Sequence, residues 1–428
     1  MMLTTLAAGI IVPLLLILWN SGGGLRRSPW PALAVLLWYG YGLGHAAIGN
    51  VHAPREWDYA CFWLYGHIAA AHGNIYDPAV FARFALPFTP SAEFRAAVLD
   101  VGFPYPPPTI GLFFPLGFIT SVPAGLALWY AVQFAALAAA AWVLARTLMP
   151  DDGWRGALLI LALVAALPAS LMNVNNAQTN FILLLLVALA LRDRAAPVGA
   201  VWELLAVWVK PYAAALLLYD AVRLHWRRLL VAALTAALSL AGAALVLGPA
   251  AMASYVSSNP ATREPAYAFT EFVNQSLLAI VLRTHAALPA HVWVLHEPLY
   301  LAGALLLAGL TIVLCARAGS RTEAAFATTL LLGLILYPGA LSSYGLILIV
   351  PFLILWRGRD AFPGRAATVA AILAVTIVLQ SARFQLGFEA NVLTWLACAY
   401  LLLARRTQPE RVAARVGSPS GVVARMPG

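Results

Sequence analysis

Two charged side chains stand out by type and position. Asp58 lies between Trp57 and Tyr59, in a stretch from Pro54 to Phe81 that is the first long polar interruption of an almost continuously apolar chain. Lys210, the sole lysine, sits inside an apolar segment, where an ammonium is costly and marks a functional site by default. A lone carboxylate can take a proton from an attacking hydroxyl as a general base. A lone ammonium can hold a phosphate as a point charge, without bidentate geometry. Each residue also has a plainer reading. Pro54 suits the first turn of a helix, so Asp58 could simply favour a helix N-terminus, and Lys210 could snorkel from a span end to the interface.

Neutral polar groups gather at three other points. Asn173, Asn175, Asn176, Gln178 and Asn180 form a polar knot between two apolar runs, and Asn274-Gln275-Ser276 forms a second cluster. Such amides either fill turns and cap helices or supply donors and acceptors to sugar hydroxyls. Tyr337-Pro338 and Ser342-Ser343-Tyr344 add hydroxyls between two further runs. The histidines show no HExxH spacing, and no glycine loop of the phosphate-cradling kind occurs. Asp151-Asp152 reads as a solvated turn. The pattern therefore predicts neither a metal site nor a nucleotide cofactor. Cys61, Cys315 and Cys398 lie singly in apolar surroundings and read as small hydrophobes.

The elements that must position these groups are membrane helices. The 428 residues are 62% hydrophobic and only 10% charged, with a mean hydropathy of +0.84. A soluble domain carries about 25% charged residues, so the fold class is an all-α polytopic integral membrane protein. The net charge of +9 does not signal nucleic acid, because the arginines cluster in short loops between apolar runs. Spans are expected at 3–19, 30–49, 106–120, 122–145, 156–171, 178–191, 197–220, 229–249, 292–315, 324–340, 344–356, 366–382 and 389–404, about thirteen against a norm of roughly 20 residues each. The first lacks the basic leader of a secretory signal and reads as a retained span.

Arg405, Arg406, Arg411, Arg415 and Arg425 place the tail 405–428, a basic and disordered segment, in the cytoplasm. Residues 1–404 form one transmembrane domain. Counting back, Arg357/Arg359, Arg317/Arg321, Arg223/Arg227/Arg228 and Arg26/Arg27 are cytoplasmic too, and the long loops 50–105 and 250–291 share the outer face. Short helices at 56–72, 78–85 and 91–99 are expected in the membrane plane, with Trp57, Phe62 and Trp63 at headgroup depth. One region conflicts with this count. Single crossings put Arg192 and Arg194 outside and Asn175–Asn180 inside, which a broken or re-entrant element within 172–221 would reconcile. Lys210-Pro211 is a plausible break.

Taken in order, Trp57-Asp58-Tyr59, Gly-Asn-Ile-Tyr-Asp-Pro (73–78), Phe-Pro-Tyr-Pro-Pro (103–107) with Pro115-Leu116, Gln178-Thr179-Asn180, Lys210-Pro211 and Asn274-Gln275-Ser276 resemble glycosyltransferase family 87 over roughly 50–350. The family comprises integral membrane enzymes of the GT-C type, typified by polyprenyl-phosphate-mannose-dependent α-mannosyltransferases. The resemblance implies a GT-C architecture of about 12–13 transmembrane helices. It also implies a polyprenyl-phosphate sugar donor, a glycolipid or glycan acceptor, and an active site on the outer side of a bacterial cytoplasmic membrane. It makes Asp58 the catalytic base and Lys210 the group that binds the donor phosphate. Tyr76, Tyr105, Gln178, Asn180, Asn274, Gln275 and Tyr344 become the substrate-binding set. The alternative from another class is a lipid-sugar transporter or flippase, with Lys210 and the amide knot lining its path.

Overall fold

The computed structural model describes residues 2–20, 28–53, 57–85, 105–257, 269–271, 273–285, 287, 297–380 and 386–404. Among them the chain is helical and has no strand beyond an isolated bridge between Asn274 and Leu341. In chain order the helices are α1 Met2–Asn20, α2 Pro29–His52, α3 Trp57–Ala70, α4 Pro78–Ala85, α5 Val122–Leu148, α6 Gly153–Ala166, α7 Pro168–Asn175, α8 Asn180–Arg192, α9 Gly199–Val209, α10 Ala215–Val222, α11 Trp226–Ser257, α12 Leu277–Arg283, α13 Pro298–Ala316, α14 Thr322–Leu336, α15 Ile349–Arg357, α16 Ala366–Leu379 and α17 Gly387–Leu403. Among the described residues, α2, α5, α11 and α13 are long and apolar enough to cross a bilayer singly. Prolines open α2, α5, α7 and α13, where a missing N–H has no helical partner to lose. Ser121 and Ser276 cap α5 and α12 by accepting from Ala124 and Ala279. Helix α11 kinks at Gly248, whose φ of +77° is open to glycine, and Pro249 follows.

Long-range side-chain bonds sort the helix ends onto two faces. On the arginine-bearing face, Trp19 donates to Asp152 at 3.0 Å, Arg359 to Asn20 at 3.4 Å and Arg194 to Glu323 at 2.8 Å. There Arg321 also donates to the carbonyls of Leu402 and Ala404. On the opposite face Asn74 donates to Ser254 at 2.8 Å, and Asn274 to the Pro338 carbonyl at 2.7 Å.

The conflict around 172–221 resolves through a break. The run expected as one span over 197–220 is two helices, α9 and α10, joined at Lys210 (φ −147°, ψ 113°) and a 3-10 turn Pro211–Ala214. Proline removes a donor and disfavours helical backbone in the residue before it. Arg228 ties the two far ends together. Its guanidinium reaches Glu203 of α9 at 2.6 Å, Asp220 of α10 at 2.7 Å, and the carbonyls of Asp193 and Ala196 at 3.2 and 2.6 Å. Residues 199–222 are therefore a re-entrant hairpin that starts and ends on the arginine face. Arg192 and Arg194 share that face with Arg223, Arg227 and Arg228, which corrects the single-crossing count. The 11 residues of α9 lift Lys210 about 16 Å from that face at 1.5 Å per residue.

Two other expected spans also differ. Residues 106–120 form three short helical turns, Pro107–Thr109, Ile110–Phe113 and Phe114–Phe118, because prolines at 106, 107, 108 and 115 interrupt any longer helix. Residues 156–171 bend by 72° at Leu167-Pro168 between α6 and α7. In the stretch expected as the first outer loop, α3 and α4 occupy the helices expected at 56–72 and 78–85; the third, at 91–99, lies outside the described residues, as does the tail 405–428. Helix α11 continues to Ser257, past residue 250 where the second long loop is expected to begin.

Candidate active site

Helix α3 carries Asp58 in its first turn and docks on the 107–118 turns. Phe62 stacks on Phe113 with centroids 4.3 Å apart, and Trp63 donates to the Ile119 carbonyl at 2.9 Å. The backbones touch where Gly66 meets Gly117: a Cβ on Gly66 would overlap the Phe113 carbonyl, and one on Gly117 the Gly66 carbonyl. On the other side of the site, Gly333 of α14 lets the hairpin tip approach. A Cβ there would strike the Tyr212 carbonyl.

Lys210 is buried, with 2% of its surface exposed, and three other segments converge on its ammonium. Nζ donates to Tyr344 Oη at 2.8 Å, Gln178 Oε1 at 3.1 Å and Tyr105 Oη at 3.4 Å. It also lies 4.4 Å from the centroid of the Tyr344 ring and 5.4 Å from that of Tyr105, a cation–π arrangement that adds attraction without adding charge. Snorkelling is thus excluded, since the head group is held inside the protein.

Asp58 belongs to the same cluster. Its half-buried carboxyl shares a hydrogen bond with Gln178 and feels the charge of Lys210. Gln178 receives the lysine through Oε1, so its amide nitrogen is the atom left to donate to the carboxylate. Burial pushes the Asp58 carboxyl above its ordinary value, while Lys210 and then the Gln178 hydrogen bond pull it back. A carboxyl raised by burial and drawn back by a neighbouring cation has the surroundings of a proton acceptor.

The remaining sequence candidates fall into outer layers. Tyr76 donates to the Tyr105 carbonyl at 3.0 Å and packs on Tyr255, so it braces Tyr105 instead of presenting its hydroxyl to the cluster. Asn180 donates to the Ser343 carbonyl at 3.3 Å, and its Oδ1 is buried without a hydrogen-bond partner. Asn274 and Gln275 stand apart from the ammonium. They pair with the 338–341 turn through the Asn274 side-chain nitrogen to the Pro338 carbonyl and the Gln275 backbone N–H to the Ala340 carbonyl at 2.7 Å, which secures the segment leading to Tyr344.

The sequence assigns no role to Tyr65 or Tyr212 and marks Cys61 only as a small hydrophobe. Cys61 and Tyr65 hydrogen-bond to each other within electrostatic reach of Asp58. Burial, then the Asp58 charge, push the Cys61 thiol up, so it is a neutral neighbour and not a nucleophile. Tyr212 stacks on Tyr344 at 5.7 Å with its hydroxyl unpartnered. Their one sequence signal is helical spacing: Asp58, Cys61 and Tyr65 recur at three and four residues, on one face of α3.

Beside the cluster runs an apolar groove of about 510 Å³, lined by Pro108, Ile110, Leu186, Trp208, Val209 and Val246 among others. Thr109 closes one wall by donating to the Trp208 carbonyl at 2.6 Å. Among the described residues no three His, Cys, Asp or Glu side chains converge as metal ligands.

The family model described as glycosyltransferase family 87 matches residues 103–343, more than half of the chain. The chain belongs to glycosyltransferase family 87. The match contains Tyr105, Gln178, Asn180, Lys210, Asn274 and Gln275; Asp58 and Tyr76 precede it, and Tyr344 follows it by one residue. No curated protein and no solved structure matches the chain. Membership of this family makes the protein a membrane glycosyltransferase, so the buried ammonium and its neighbours are the first place to look for sugar-transfer chemistry.

Proposed function

We propose that the protein moves a sugar from a polyprenyl-phosphate donor to the hydroxyl of a glycolipid or glycan, inverting the anomeric centre. The observation that carries this reading is the pairing of Asp58 and Lys210 through Gln178 beside an apolar groove. The acceptor oxygen attacks the anomeric carbon and its proton passes to the Asp58 carboxylate. The bond from the anomeric carbon to the phosphate oxygen breaks, and its electron pair leaves with polyprenyl phosphate. Hydrolases generally need a second acid to protonate a poor leaving alkoxide; a phosphate departs as a stable anion. Growing charge on that anion is met by Lys210, in a site poor in water where fixed charges act strongly. The groove at Val209 and Trp208 receives the isoprenoid chain next to the ammonium.

Charge bias supports reading the arginine face as cytoplasmic and, with the family resemblance, α3 and the site as lying on the outer side of a bacterial cytoplasmic membrane. Mannose is the first donor sugar to test, on the family resemblance. The transporter alternative draws on the same lysine and has no observation of its own. In purified protein supplied with labelled polyprenyl-phosphate mannose and a membrane lipid extract, Asp58→Asn should lower transfer by about 10²–10⁴-fold with donor binding retained. Wild-type rates in that variant would remove the base from the mechanism.

A further inference from the structure

A second cavity, of about 640 Å³, opens on the arginine face at the two ends of the re-entrant hairpin, far from the Lys210 cluster. Its walls include Arg194, Arg223, His225, Trp226, Arg227 and Arg228, and no carboxylate is among its lining residues. Two of the four guanidiniums are committed. Arg194 pairs with Glu323, Thr322 and the Leu191 carbonyl, and Arg228 is saturated by Asp220, Glu203 and backbone carbonyls. They fix the walls. Arg223 gives one nitrogen to the Ala316 carbonyl at 3.2 Å and keeps its other donors. Arg227 is exposed. Among the described residues neither Arg223 nor Arg227 forms an ion pair with a carboxylate, so the cavity offers two guanidiniums to an anion.

The rim identifies the source of the anion. Trp226, Leu230, Leu234 and Leu238 repeat every four residues along α11, one side of a helix, and are between 55% and 74% exposed. An apolar stripe of that length, headed by a tryptophan at the mouth of a basic cavity, has the layout of a bilayer interface. Acyl chains would lie on the leucines and a charged headgroup beside the guanidiniums. Basic pockets at the ends of membrane helices suit phosphate headgroups for that reason.

We propose that this cavity binds the phosphate of an anionic phospholipid, clasped by Arg223 and Arg227, and that the lipid braces the paired ends of the hairpin that carries Lys210. The proposal stands on the cavity and the stripe alone and does not depend on the sugar-transfer reading.

The test is thermal unfolding of the full chain in a neutral detergent, titrated separately with phosphatidylglycerol, phosphatidylcholine and inorganic phosphate. Phosphatidylglycerol should raise the midpoint of the wild-type protein in a saturable way, as a ligand bound only by the folded state must. Phosphatidylcholine should give a much smaller rise. The double variant Arg223→Gln/Arg227→Gln should unfold near the wild-type midpoint without lipid and lose most of the phosphatidylglycerol response. Because that variant leaves the Arg228 cluster intact, native mass spectrometry of the same samples provides a second readout: retained phosphatidylglycerol in wild type, little in the variant. An equal lipid response in the two proteins would overturn the proposal. Inorganic phosphate protecting as well as phosphatidylglycerol would overturn the assignment to lipid.

Discussion

Replacing Lys210 by methionine keeps most of the side-chain volume and removes one charge, which makes it the sharpest probe of the site. In the structure Nζ makes contacts of 2.8, 3.1 and 3.4 Å to Tyr344, Gln178 and Tyr105. A hydrogen bond to a charged group contributes about 1.5–3 kcal/mol, and a donor phosphate would take at least one of these positions. Losing a fixed donor to charge that grows in the transition state costs about 2.7–4 kcal/mol, or roughly 10²–10³ in rate. We therefore expect kcat/KM for the lipid donor to fall about 10²–10³-fold. Stability should fall as well, because removing one partner of a buried charge pair costs about 3–5 kcal/mol and Asp58 loses its cation, so the rates are compared on protein shown to be folded by its thermal unfolding midpoint.

The same variant shifts a pH profile. Burial holds the Asp58 carboxyl above its ordinary value and Lys210 pulls it back down. Without the ammonium it rises further. A base works only when deprotonated, so activity is present above its pKa and lost as pH falls through it. The acid limb of kcat/KM in Lys210→Met should accordingly lie at higher pH than in wild type. Steady-state rates with labelled donor across the acid to neutral range measure both effects. A kcat/KM within about threefold of wild type, with the acid limb unmoved, would refute the coupling of lysine to phosphate and carboxylate.

Two further substitutions test the elements that aim the site. Gly66→Ala forces a methyl into the Phe113 carbonyl; overpacking of this kind costs about 1–3 kcal/mol. Thermal unfolding should show a lower midpoint and transfer should drop, whereas Ala in the open space at Gly44 should change neither. Arg228→Met strips the counter-charge from buried Glu203 and Asp220 and should destabilise by about 3–5 kcal/mol. Adding Glu203→Gln and Asp220→Asn to that variant should recover much of the loss in denaturant titration, because the stranded charges are gone.

Lys210 was legible because a single ammonium in an apolar run has few bland explanations, and Gln178 because amides interrupt two apolar runs. Asp58 took its weight from position in the first outer loop. Cys61, Tyr65 and Tyr212 were not legible, since in an apolar helix a buried thiol or phenol looks like core. Tyr76 and Asn274 are expected as substrate contacts, yet their side chains brace the segments bearing Tyr105 and Tyr344, and Gln275 joins the second segment through its backbone N–H. Sequence order does not distinguish a group that touches the cluster from one that positions its neighbour. The hairpin was half legible. Lys210-Pro211 signalled a break, while the length of 197–220 matched one crossing. The decisive sign lies in Glu203 and Asp220, acids inside apolar helices on either side of the break, both of which need a cation that only the far end of a folded-back segment can bring.

That fold-back explains how a charge can be kept at this depth. In a continuous helix, Lys210 would project from a wall of backbone whose carbonyls are all engaged, and its neighbours would be those of one helix face. At the tip of a hairpin the backbone is extended and the side chain leaves the end of the element, so groups from 105, 178 and 344 surround it from three directions. The cost of burying the ammonium is offset by those donor and ring contacts and by Asp58, while the cost of the tip's irregular backbone is limited because it packs on protein at Gly333 and not on lipid. The Arg228 cluster holds the two ends shut about 16 Å away. A change that loosens Arg228 should therefore also misplace Lys210, which links a stability measurement on one face to a rate measurement on the other.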